Sequence, residues 1–448
     1  MINKTIKIGK FISWRRIYKN VFAFNLKNQK MIKLDETGSF LWEIISKNIN
    51  TSGLIKQLTD NYCVGPEEAK SDIKEFLKEL VFSDFLEISG RDNVTSRIKD
   101  NNKIDQNLLL ELEKIAIEKV IPFSATFEIT EKCNESCIHC YMLKSRAREL
   151  TTRETKRIIK ELSKQGCLFI SFTGGEIFTR PDLFEIISFA SELNFAIDLL
   201  TNGTLINDDI IVFLKNQLIR RVQISLYSAN SKTHDRITRL DGSFEKTLNS
   251  IKLLIKNDIK VEIAFPIMNV NFEERYDLRF LVEKLGAYFL PAHIITAKND
   301  GSDDTFHLRL DNEQLRILFR EDIFGYYSGR KPFQEHQFYV GFKDLKEANP
   351  CYGGINSCAI NSIGDVFPCN QLFYKFGNLR NNSFSEIWNN SPEIKKLRLI
   401  KVKDLPICSE CDLLPYCSRC PGLALLEGGD MLGHSPENCR ITSIQANF

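Results

Sequence analysis

The chain has 448 residues, 60 of them basic and 58 acidic, for a formal net charge of +2. That length predicts roughly two to four domains, and the balanced charge gives no electrostatic case for nucleic acid or an anionic membrane. No stretch approaches the roughly eighteen consecutive apolar residues of a membrane span, and "MINKTIKIGKF" lacks the apolar run of a secretory signal. The expectation is a soluble cytoplasmic protein whose 13 cysteines are kept reduced, and are metal ligands rather than crosslinks.

Residues 1–90 read as a small α+β unit. "VFAFNLKN" alternates Phe22, Phe24 and Leu26 on one face, and "QKMIKL" follows a polar turn, which predicts a hairpin. Three helical segments follow, the last opening on Pro66 with acidic residues in its first turn. A hairpin with three helices is winged-helix-like. A DNA-binding winged helix needs a basic recognition helix, and "PEEAKSDIKEFLKEL" mixes both signs evenly. The polar run from Ser89 to Asp105 predicts a linker, so residues 91–117 form a linker and helix. Cys63 and Cys167 stand alone in sequence and read as small buried thiols.

From 118 to 300 strands and helices alternate through six repeats. They run from "SATFEIT" to "AHIITA", with strands of continuous apolar character, as a parallel sheet requires. Six units make an open barrel rather than the closed eight of a TIM barrel. Chemistry in such folds sits on the loops after the strands. "EKCNESCIHCYM" follows the first strand, "TGGE" the second and "TNGT" the third, so all three signals share one face. Cys133, Cys137 and Cys140 lack the fourth ligand of a structural zinc site. Three thiolates can hold three irons of a [4Fe–4S] cube and leave the fourth open.

Residues 301–345 form a bridge with a helix around "NEQLRILFREDIF". Residues 346–448 are cysteine-rich and punctuated by glycine and proline. Ser383 and Glu386 predict a capping box in "SFSEIWNN". Cys351, Gly364 and Cys369 make a CX12GX4C pattern. Cys408, Cys411, Cys417 and Cys420 make CX2CX5CX2C, and Cys439 follows. Paired CxxC groups also suit zinc ribbons, which leaves a zinc-ribbon binding protein as the non-enzymatic reading.

The cysteine loop, with the strand before it and the glycine–acid turn after the next strand, resembles the radical S-adenosylmethionine (SAM) superfamily. The resemblance implies a partial (β/α)6 barrel of TIM type and SAM as cofactor. It implies that Cys133, Cys137 and Cys140 hold a cluster and that His139 lies beside the adenine. Gly174, Gly175 and Glu176 would bind the amino group of the methionine moiety, the glycines being needed so that no Cβ blocks backbone approach to the ligand. Asn202 and Ser225 match positions near the ribose and carboxylate. Arg239 stands next to Thr238, where the family often has arginine, and is its candidate substitute.

The C-terminal block resembles the SPASM domain, which implies two auxiliary [4Fe–4S] clusters and three in all. Cys351, Cys369 and Cys420 would serve the first, and Cys408, Cys411, Cys417 and Cys439 the second. Cys358 is either the fourth ligand of the first or a free strand thiol. The N-terminal unit resembles PqqD-like domains, which bind leader peptides by adding them as a strand to the hairpin edge. Together these features resemble maturases of sulfur-crosslinked peptides of the sactipeptide and subtilosin type. The expected enzyme is a radical SAM oxidoreductase that makes a 5′-deoxyadenosyl radical and installs cysteine-sulfur-to-carbon thioethers in a ribosomally made precursor peptide. A flavodoxin- or ferredoxin-type electron donor is implied. Carbon–carbon crosslinking, epimerisation and sulfatase-maturase-like oxidation of Cys or Ser are the alternative reactions. No acid–base pair stands at diagnostic spacing, so no catalytic side chain is assigned.

Overall fold

The computed structural model describes residues 5–88, 106–143, 147–321 and 345–446. The predicted linker at 89–105 lies outside them. In chain order the N-terminal unit comprises β1 (Ile6–Ile8), β2 (Ile12–Ile17), β3 (Asn20–Asn25), β4 (Met31–Leu34), α1 (Glu36–Ile45), α2 (Thr51–Asn61), α3 (Pro66–Phe82) and β5 (Leu86–Ile88). The predicted hairpin is β3–β4, and β2 extends it to a three-stranded antiparallel sheet ordered β2-β3-β4, while β1 pairs β5 separately. Alternation explains the two-sidedness of this sheet. Val21 and Ala23 of β3 pack with Trp42, Leu54, Ile73 and Leu77 of the three helices, whereas Phe22 and Phe24 point the other way.

That second face sits on the barrel. Ile17, Phe22, Phe24, Leu26 and Met31 form one core with Leu112 and Ala116 of α4 (Gln106–Lys119) and with Phe123, Leu168, Phe169, Ala196 and Leu218. The last five mark the beginnings of four barrel strands, so the unit closes the end of the barrel where strands start. Arg15 fastens it. The guanidinium donates to the Cys167 carbonyl at 2.8 Å, the Ser163 hydroxyl at 2.7 Å and the Leu193 carbonyl at 2.8 Å. It also lies 4.8 Å from the Phe195 ring centroid.

The barrel runs β6 (Ser124–Thr130), α5 (Thr152–Lys164), β7 (Phe169–Gly174), α6 (Leu183–Glu192), β8 (Ala196–Thr201), α7 (Asp208–Leu214), β9 (Ile219–Ser225), α8 (Ser231–Thr238), α9 (Ser243–Lys256), β10 (Val261–Pro266), α10 (Arg275–Leu285) and β11 (Tyr288–Ala292). All five strand pairs from β6 to β11 are parallel. The last strand falls earlier than the "AHIITA" expected for it. Pro291 is tolerated there because β11 is an edge with a neighbour on one side only. Ala125, Phe127, Ile170, Phe172, Ile197, Leu199, Val222, Ile224, Ile263 and Phe265 point from the strands into the helix-side core. Their alternating neighbours face the concave side.

The remainder comprises α11 (Asn312–Arg320), β12 (Ser357–Ile360), β13 (Asp365–Phe367), β14 (Gly377–Asn378), α12 (Phe384–Asn390), α13 (Pro392–Leu399), α14 (Pro421–Gly428) and α15 (Pro436–Gln445). β12 pairs in parallel with β6, and β13 and β14 follow antiparallel, so the barrel sheet grows to nine strands. The C-terminal block is thus continuous with the barrel wall. The capping box at Ser383 and Glu386 is present. No helix among the described residues is long and apolar enough to cross a membrane.

Candidate functional site

The loop after β6 is held from two sides. The Ser136 and Ile138 amides donate to the carbonyls of Thr238 and Ile237 at the end of α8. The Glu149 carboxylate accepts from the Thr130 hydroxyl at 3.0 Å and the Glu131 amide at 2.7 Å. Within the loop the Glu135 amide donates to Cys133 Sγ at 3.4 Å, and the Cys137 thiol donates to Glu135 at 3.2 Å. Burial pushes the Cys133 thiol up, the Cys137 thiol well up and the Glu135 carboxyl up to about 7. Without metal these sulfurs therefore hold their protons, and cluster assembly must displace them.

The glycine turn after β7 abuts this loop. The Gly175 amide donates to the Thr130 carbonyl and the Glu176 amide to the Lys132 carbonyl. A Cβ on Gly174, whose φ is +139°, would lie 2.1 Å from the Thr130 oxygen, and one on Gly175 would lie 2.3 Å from the Lys132 oxygen. The glycines are thus required first by the backbone of the cysteine loop. Their expected role toward a ligand is secondary to that contact.

Glu176 is fully buried and its carboxylate is engaged within the protein. It accepts from Thr201 Oγ1 at 2.8 Å, the Asn202 amide at 2.7 Å and the Phe178 amide at 3.0 Å. These bonds tie the turn after β7 to the one after β8, and a ligand amino group would have to compete with Thr201. Asn202 Nδ2 reaches Asn134 of the cysteine loop at 2.9 Å. Cys133, Cys137, Cys140, Gly174, Gly175, Glu176 and Asn202 thus lie together on one rim.

His139 stacks edge-on against Tyr227, with centroids 4.8 Å apart. Burial lowers its pKa to about 4, and its Nδ1 finds no hydrogen-bond partner among the described residues. A neutral ring with an unmet polar atom on this rim suits a base-bearing ligand. Ser225 ends β9 and bonds the Tyr227 phenol. Arg239 is exposed in a left-handed conformation at the end of α8, without a partner among the described residues. Sequence reasoning passed over Glu135 and Tyr227, whose hydroxyl lies 4.0 Å from Cys137 Sγ. The signal for Tyr227 was its position two residues beyond Ser225.

The C-terminal cysteines gather in two groups. Cys351, Cys369 and Cys420 lie close enough to act on one another's ionisation. The Gly353 amide donates to Cys351 at 3.3 Å and the Gln371 amide to Cys369 at 3.4 Å. A 280 Å³ cavity lies against Cys351 and Cys369, lined also by Glu113 and Ile117 of α4. Cys408, Cys411, Cys417 and Cys439 form the second group. Cys358 belongs to neither. It points into the helix-side core beside the buried, protonated thiol of Cys167, so the geometry favours the free strand thiol over a fourth ligand. Cys63 is exposed rather than buried, because it lies past the Tyr62 cap of α2, in the connection to α3.

Among the described residues no three His, Cys, Asp or Glu side chains converge as the ligands of one ion do.

A three-thiol loop on the strand-end rim of an open parallel barrel, beside a glycine cradle, defines an enzyme built around an iron–sulfur cluster. The comparisons agree. Residues 127–282 match the radical SAM superfamily, 351–421 the SPASM iron–sulfur cluster-binding domain and 21–86 the coenzyme PQQ synthesis protein D family. An AdoMet-dependent heme synthase of Methanosarcina barkeri is 30% identical over 70% of this chain and 95% of its own. The antilisterial bacteriocin subtilosin biosynthesis protein AlbA of Bacillus subtilis is 32% identical over 67% of both chains. Streptococcus suis SuiB bound to precursor peptide SuiA shares the fold, with a TM-score of 0.61 at 19% identity over 97% of this chain and 99% of that one. The chain belongs to the radical SAM superfamily, in a form that carries SPASM and PqqD domains. It is an enzyme whose cofactors are SAM and iron–sulfur clusters.

Proposed function

We propose that this enzyme installs thioether crosslinks between cysteine sulfur and carbon in a ribosomally synthesised precursor peptide. The carrying observation is the N-terminal sheet seated on the barrel. Among the described residues β4 pairs only with β3, which leaves an edge on which an extended leader can add as a strand. The AlbA relative supports the thioether outcome. The heme synthase is matched over nearly its whole length by 70% of this chain, so the chain carries a large part which that relative lacks.

Cys133, Cys137 and Cys140 would hold the SAM-binding cluster. Cys351, Cys369 and Cys420 would hold a first auxiliary cluster with one iron open, and Cys408, Cys411, Cys417 and Cys439 a second. Bound there, SAM and its cluster would supply hydrogen abstraction by a 5′-deoxyadenosyl radical, with a flavodoxin- or ferredoxin-type protein as the electron donor. The chain holds the reactive carbon against that position and excludes water. The turn at Gly174 and Gly175 and the ring of His139 seat the cofactor. Ser225 and Asn202 line the same rim.

In the test, candidate precursors from short cysteine-bearing reading frames flanking this gene are incubated anaerobically with reconstituted enzyme, SAM and reductant. Each thioether removes two hydrogens, so the product should lose about 2 Da per crosslink while its sulfur resists alkylation. A product of unchanged mass and inverted stereochemistry would make the enzyme an epimerase. A mass loss with every thiol still alkylatable would make it a carbon–carbon crosslinker.

A further inference from the structure

Three carboxylates stand on the concave wall of the barrel, Asp198 and Glu128 buried and Glu262 half-buried. Asp198 on β8 is bound by Arg220, and by Arg221 at 3.0 Å. Glu262 on β10 faces Arg221 at 2.7 Å. Glu128 on β6 is 8% exposed and has neither an ion pair nor a hydrogen bond among the described residues. Strand alternation fixes its direction. Ala125, Phe127 and Ile129 enter the helix-side core, so Thr126, Glu128 and Thr130 face the concave space.

Its position there is specific. Glu128 stands in register with Thr173 of β7, just before the glycine turn. Thr130, two residues on, receives the Gly175 amide, so Glu128 lies roughly 7 Å below the rim that seats the cofactor. The titratable groups acting on it are Glu131 and the phenol of Tyr141. Tyr141 follows Cys140 directly, and its phenol bonds Asn370, the neighbour of Cys369. The side chain beside Glu128 therefore bridges the SAM loop to the first auxiliary group. A mostly buried carboxyl without a hydrogen bond or ion pair among the described residues faces the concave space, where a substrate group can reach it. Burial, with Glu131 adding to it, raises its pKa to about 7, where a carboxylate is a competent general base.

We propose that Glu128 is a catalytic residue, the proton acceptor for the substrate cysteine thiol whose sulfur enters the crosslink. The S–H bond breaks, a carboxyl O–H forms, and the electron pair stays on sulfur. No oxidant enters this step. The inference rests on the thioether reading above.

The test pairs Glu128→Gln and Glu128→Asp with two synthetic versions of the candidate precursor peptide, one with cysteine and one with selenocysteine at the crosslinked position. A selenol is already ionised at neutral pH and needs no base. Glu128→Gln should slow thioether formation at least 100-fold, and crosslinking of the selenocysteine peptide should stay within threefold of wild type. Glu128→Asp should recover part of the cysteine rate. Iron content and peptide affinity, measured by anisotropy, should match wild type in both variants. Wild-type thioether rates in Glu128→Gln would overturn the proposal. So would equal loss on both peptides, or loss of iron or peptide affinity in both variants, since each marks a structural residue. Failure of the wild-type enzyme to crosslink either peptide would instead overturn the thioether reading itself.

Discussion

Gly175 has a structural reason that its own turn does not reveal. A glycine–acid turn is legible in sequence, but the atom that forbids a side chain, the Lys132 carbonyl, belongs to another loop. Gly175→Ala should force the cysteine loop outward. We expect a loss of about 1–3 kcal/mol and at least tenfold slower SAM cleavage, read by thermal melting and by 5′-deoxyadenosine yield. Gly65→Ala, with nothing within 4 Å of the added carbon, is the control for SAM cleavage, which should not change; as the N-cap of α3 it should lose only about 1 kcal/mol or less of stability. Glu128 gives a second prediction, independent of turnover. Its folded pKa of about 7 lies above the ordinary carboxyl value, so the folded state binds more protons than the unfolded one between those two values. Stability attributable to this group must therefore fall as pH rises through that window. Glu128→Gln removes the ionisation. The variant's melting temperature should match wild type near pH 4 and exceed it above pH 7, by up to roughly 3 kcal/mol of stability. An advantage that did not grow with pH would contradict the unpartnered burial of this carboxyl.

At the level of elements, helices with caps were readable because the signals are local. The capping box at Ser383 and the acidic first turn of α3 are examples. The parallel pairing of β12 with β6 was not, because nothing near either strand specifies a partner so distant in the chain. β2 was missed for a related reason, since "ISWRRI" carries two arginines and shows no clean alternation. One of those arginines anchors the unit to the barrel, so its polarity is the point of contact. Arg15→Ala strands the Cys167 and Leu193 carbonyls that it serves. The expected cost is about 2–4 kcal/mol, with faster hydrogen exchange in β2 and β3 and unchanged exchange in β9 and β10. Uniform protection across all four strands would show that the apolar contacts alone hold the unit in place.

For the whole molecule, the cysteine groups predict about twelve irons per chain in anaerobically purified enzyme, from three cubes of four. Stoichiometric zinc with little iron would return the zinc-ribbon reading. Removing residues 1–100 should leave slow, peptide-independent SAM cleavage, since every cofactor-site residue lies beyond them. Modification of a full-length precursor should fall steeply, because leader binding raises the effective concentration of the modified segment. A truncated enzyme as fast as the intact one would remove the leader-reading role.

The N-terminal sheet closes the end of the barrel where strands begin, and the cysteine loop occupies the end where they finish. The seven residues of β6 separate the two by about 23 Å. A peptide gripped at one end and altered at the other must bridge that height, which takes at least about seven extended residues. The barrel is then a ruler: its depth sets the shortest spacing between the gripped segment and the first residue that can be modified. Precursors shortened below that spacing should bind normally and emerge unmodified.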